Sequence, residues 1–194
     1  MRRIALMMLL SLSLVAAGCG SDKKATTTTA PLKLLPDART SAEWAQRIVQ
    51  RFLKPLNRDL QILNNLNTPA VRFYIATGQK TTLRIVKTRM NDLSHCTDKL
   101  VVIGPPPRED PEFQGINEYF RQACKSYEDV AAKVQEAMPL LSSGRGDVVD
   151  RGDDILHQAN RPSRRAATLF GRAIKIAQKR PEFRAAGLQP TPQS

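Results

Sequence analysis

Few residues in this chain could do chemistry. Both of its histidines close an Asp-x-x-His, Asp92 to His95 and Asp154 to His157. An acid and an imidazole at i, i+3 share one helix face, a spacing that can ligate metal inside helical bundles. Asp147, Asp150, Asp153 and Asp154 crowd together but lack the loop and terminal Glu of an EF-hand. The cysteines, Cys19, Cys96 and Cys124, form no Cys-x-x-Cys and are too few for a four-cysteine zinc site. There is no His-Glu-x-x-His, phosphate loop or nucleotide fingerprint, and no serine or cysteine sits in a nucleophile motif. The sequence thus points to no cofactor, no metal and no catalytic residue. What remains is charge: 30 basic residues against 18 acidic give +12. Residues 160–184 hold Arg161, Arg164, Arg165, Arg172, Lys175, Lys179, Arg180 and Arg184 against Glu182 alone, so 8 − 1 = +7. The first seven are the candidate contacts for an anionic partner; a merely solvated basic face is the plainer reading of the same run.

Helices must position these groups. At 194 residues and 41% apolar the chain suits one ordinary domain with a core, while 5% aromatics exclude large stacking platforms. A first helix is expected from Thr40, with Glu43 completing a capping box and a stripe of Trp44, Ile48, Phe52, Leu56, Leu60 and Leu63 kinked at Pro55. Thr68-Pro69 opens a second, carrying Phe73, Ala76, Leu83, Val86, Met90, Leu93 and Leu100 and weakened at Gly78. After Pro105-Pro106-Pro107, Asp110-Pro111 opens a third with the cleanest register, Phe113, Ile116, Phe120, Ala123, Tyr127, Val130, Val134, Ala137 and Leu141. A fourth begins near Asp147 and should be kinked or interrupted at Pro162. The only strand candidate, Leu100 to Ile103, reads better as a helix end or strap.

Four amphipathic helices with mostly short connections predict an all-α, antiparallel up-down four-helix bundle over residues 40–180, with a flexible tail over 181–194. That arrangement puts the two Asp-x-x-His pairs about 20 Å or more apart, at opposite ends, which argues against a shared metal site. The first helix also lacks an inward Glu.

The N-terminus is an address. Met1-Arg2-Arg3 is followed by an apolar run from Ile4 to Val15 and by Ala16-Ala17-Gly18-Cys19, too short to span a bilayer permanently. Residues 1–19 resemble the signal peptide and lipobox of bacterial lipoproteins, with Ala at position 16 where Leu is commoner. The resemblance implies removal of residues 1–18, diacylglyceryl transfer to the Cys19 sulfur, further acylation, and display on the extracytoplasmic face. Gly20 in place of Asp implies no inner-membrane retention where an outer membrane exists. Residues 19–39, with Thr26 to Thr29 and isolated prolines, then read as a tether of roughly 25 Å mean reach. With Cys19 lipidated, Cys96 and Cys124 are left as a pair in an oxidising compartment, so a disulfide is expected. Its loop of 124 − 96 = 28 residues is worth about 3–4 kcal/mol in the chain-entropy account.

Arg145-Gly146-Asp147 and Arg151-Gly152-Asp153 resemble the integrin-recognition tripeptide, which works only in an exposed loop; glycines loosening a helix start are the alternative. Export removes nucleic acid as a partner for the basic run and leaves anionic lipid headgroups or phosphate-bearing wall polymers. The expected function is therefore a lipid-anchored, non-enzymatic interaction or structural module at the cell envelope. The alternative is a bundle holding a small ligand or metal between its helices.

Overall fold

The computed structural model describes residues 33–66 and 68–189. The expected signal peptide, Cys19 and most of the tether lie outside these residues. Every regular element among the described residues is helical.

The first expected helix forms as α1 (Ser41–Arg47), a π-helical segment (Ile48–Leu53) and α2 (Lys54–Asn65). Thr40 Oγ1 accepts the Glu43 N–H, while the Glu43 carboxylate accepts from Arg39 rather than from Thr40 itself. The disturbance expected at Pro55 takes the form of a widened turn. Lys54 donates to the carbonyl of Val49, five residues back, just before the proline that has no N–H to give. Trp44, Ile48, Phe52 and Leu56 all stay buried across it.

The second expected helix is three: α3 (Pro69–Ala76), α4 (Lys80–Leu93) and α5 (Cys96–Ile103). Gly78, at φ 68°, does more than weaken a helix. A left-handed residue after the last turn ends α3 outright, and Phe73, expected in the stripe, is 63% exposed. Leu100 to Ile103 complete α5.

Two long helices follow, α6 (Pro111–Leu141) and α7 (Gly146–Ala177), about 46 and 48 Å at 1.5 Å per residue. Asp110 caps α6 by accepting from the Phe113 N–H. Of the kink or interruption expected at Pro162, the interruption does not occur: α7 runs on as one helix through it. The carbonyl that Pro162 leaves without a donor belongs to the exposed Gln158, where water can serve it. Leu141 meets Gly152, Tyr127 and Phe120 meet Phe170, and Asp110 meets Arg180, so contacts climb one helix while descending the other. Gly152, Ala159, Ala166 and Ala173 recur every seven residues and are all buried, a seam that lets the backbones come close. A Cβ at Gly152 would lie 3.0 Å from the Leu141 side chain and 3.1 Å from Leu140 Cβ.

Three features tie the remaining chain to these helices. Cys96 and Cys124 form the expected disulfide, joining α5 to α6. At the N-terminal side, Leu35 donates to the Val102 carbonyl, Arg47 donates to the Pro36 carbonyl, and Ala38 is buried, so the last residues of the expected tether are docked. At the C-terminal side, α8 (Pro181–Ala185) replaces the start of the expected flexible tail. Phe183 is fully buried there, with ring centroids 5.3 Å from Phe113 and 5.9 Å from Trp44. The packed domain thus reaches past residue 180.

Candidate functional site

At about 100° per residue on α7, Arg161, Arg164, Arg165, Arg172, Lys175 and, just beyond the helix, Lys179 fall within an arc of about 100°. The Gly152–Ala159–Ala166–Ala173 seam occupies the opposite side, and packing of that seam fixes which way the cations point. All six are exposed, and none makes an ion pair with any described residue.

Arg180, grouped with them by sequence, is used elsewhere. Its guanidinium pairs with Asp110 at 2.8 Å, Glu112 at 2.5 Å and Glu182 at 3.2 Å, and lies 4.8 Å from the centre of the Phe113 ring. Hydrogen bonds to Glu182, then Glu112, raise its pKa further, and the same contact holds Glu182 below the usual carboxylate range. Arg180 is a clamp between the α6 start and α8, with its charge already met by acids.

The outward face of α7 changes sign along its length. Asp147, Asp150 and Asp154 are exposed within the same arc, about two to four turns before the cations begin at Arg161. Asp147 in the first turn and Lys175 in the last complement the helix dipole, and the face as a whole is an electrostatic gradient. The two Arg-Gly-Asp tripeptides differ in setting. Asp147 of the first is exposed and pairs with Arg145 at 3.4 Å. The second lies inside α7, where Gly152 is packed on Leu140 and Leu141 and Asp153 pairs with Arg72 of α3.

The histidines do not converge. His95 Nδ1 lies 3.1 Å from Asp98 Oδ2, while Asp92 is beside Arg89 instead. His157 is exposed on α7. No group of three His, Cys, Asp or Glu among the described residues could hold a metal ion. Tyr127 is a poor acid, its hydroxyl pushed up to about 12 by burial. Ser126 donates to the Gln122 carbonyl.

Sequence reasoning missed Asp59. Its carboxylate is 1% exposed, 3.3 Å from Lys99 Nζ and 3.4 Å from Arg89, and so ties α2 to α4 and α5. Burial raises its pKa, opposed by Lys99 and Arg89. The signal was present: Asp59 stands three residues after Leu56 and four before Leu63, a core position holding an acid. No described helix is long and apolar enough to cross a membrane. Compared with known protein families, curated proteins and solved structures, the chain matches none of them.

Proposed function

We propose that this chain is a lipid-anchored, extracytoplasmic, non-enzymatic module whose α7 face contacts anionic lipid headgroups or a phosphate-bearing wall polymer. In this reading residues 1–18 are a signal peptide, Cys19 carries the acyl chains, and the domain is an antiparallel up-down four-helix arrangement of 41–65, 69–103, α6 and α7. One observation carries the interaction: six exposed cations without acid partners on one narrow arc. Basic residues near an anionic surface contribute about 1 kcal/mol each at physiological salt, less as salt shortens the range. The acidic first half of α7 would tilt away from such a surface and orient the domain on it.

The test uses the full chain reconstituted in nanodiscs of phosphatidylglycerol or phosphatidylcholine. Acetylation of Lys175 and Lys179 should slow severalfold in anionic discs at low salt and recover at high salt, with exposed Lys54 as internal reference. Slowing by an added phosphate polymer in phosphatidylcholine discs would select the wall over the lipid. Equal rates under all conditions would overturn the interaction. Intact mass tests the anchor: residues 19–194 plus acyl chains is the expected species.

A further inference from the structure

A second site has a different chemistry. An open groove of about 720 Å³ runs between α4 and α6, within the size range that holds small organic ligands. Its floor is apolar: Leu83, Met90, Met138 and the Pro139 ring. The methionines make that floor adaptable, since an unbranched thioether repacks around irregular shapes.

The rim is polar and positive. Lys87, Asn91 and Gln135 line it. Pro139, inside α6, has no N–H for the Gln135 carbonyl four residues back, which leaves that acceptor free of its helical partner. On α4, Lys80, Arg84, Lys87 and Asn91 fall within an arc of about 60°. The three cations are exposed and make no ion pair with any described residue. No acid occurs in the 32 residues between Asp59 and Asp92. An apolar trough beside unopposed cations suits a ligand with one greasy chain and one anionic end.

We propose that the groove between α4 and α6 binds a single-chain anionic amphiphile. The acyl chain lies on Leu83, Met90, Met138 and Pro139, and a carboxylate or phosphate head meets Lys87. This gives the ligand-binding alternative a location and does not depend on the α7 face or on Cys19.

The full chain, in phosphatidylcholine nanodiscs if it is lipidated and in buffer if it is not, is irradiated with a diazirine-bearing hexadecanoic acid. Labels should map to residues 83–91 and 135–142 and be competed by hexadecanoate or hexadecyl phosphate but not by hexadecyltrimethylammonium. Lys87→Glu should cut labelling about tenfold, the scale of losing one charge contact and gaining one repulsion. Gln135→Trp, which fills the groove from an exposed position, should abolish it. Both substitutions are at exposed sites, and thermal melts matching the parent chain confirm that they fold. Absent or scattered label, equal competition by the cation, or parental labelling of both folded variants would overturn the proposal. Competition by hexadecyl phosphate at a tenfold lower concentration than hexadecanoate would assign the head as phosphate.

Discussion

Phe183→Ala tests whether the chain after α7 belongs to the core. The ring is fully buried against Trp44 and Phe113. A buried aromatic side chain removes about 150–250 Å² from water, which at about 25 cal/mol per Å² gives a ceiling of about 4–6 kcal/mol. Phe→Ala in cores costs about 3–5 kcal/mol when the surroundings cannot collapse. Here α8 is only five residues long, so its release limits the loss, and about 3 kcal/mol is expected. For a chain of this size that lowers Tm by about 6–12 °C. Trp44, the single tryptophan, reports the same site, because its ring is buried and its Nε1–H donates to the Gly104 carbonyl. Its emission should shift to the red in the native state of the variant. Phe73→Ala, at a 63% exposed position, is the control and should cost under about 0.5 kcal/mol. A Tm change under about 2 °C with unaltered Trp44 emission would refute the docking of α8.

Reduction of Cys96–Cys124, or its replacement by two alanines, should lower stability by about 3–4 kcal/mol in urea melts, as expected for a 28-residue loop. Ala166→Leu should destabilise by about 1–3 kcal/mol by overfilling the small-residue seam, whereas Ala167→Leu on the exposed side should change it by under about 0.5 kcal/mol. Asp59 has a raised folded pKa, so the native state favours its protonated form. Its charge therefore weakens the fold above that pKa, and this cost fades as pH falls toward the ordinary carboxylate range. Melts from pH 7 down into the ordinary carboxylate range, about pH 4, should accordingly show a smaller acid-side gain for Asp59→Asn than for the parent, with no large loss at pH 7. Glu182 has the opposite sign: Arg180 lowers its pKa, so its contribution is present above the ordinary carboxylate range and lost as pH falls below it, and Glu182→Gln should flatten that acid-side loss.

Much of the fold was legible because it rests on local rules. The Thr40 and Asp110 caps, Pro69 and Pro111 at helix starts, and the register from Phe113 to Leu141 each follow from one turn of backbone and a period near 3.6. The failures came where tertiary contact outweighed a local signal. Pro162 did not interrupt α7, whose own small-residue seam is buried on both sides of it. Phe183 stands among turn-forming and charged residues, and only the distant Trp44 and Phe113 make it a core residue. The cationic face of α7 was visible as a count. Withdrawing Arg180 from it required knowing that Asp110 and Glu112, some 70 positions earlier, come within reach. Asp59 was hidden for the same reason, since its partners Arg89 and Lys99 lie on other helices.

The docking of Leu35 and Pro36 has a mechanical meaning. A pull on the N-terminal segment does not peel the domain from α1. It loads the Leu35–Val102 and Pro36–Arg47 hydrogen bonds first, and passes through the latter into the end of α1 and through the former into α5. That helix cannot be drawn out, because its other end, six residues before Val102, is covalently fixed to α6. Tension from an anchor would therefore end in a sulfur–sulfur bond on the longest helical pair, off the cationic face of α7. Under the proposed anchoring, the domain would be held on a leash while the cationic face of α7 keeps its shape.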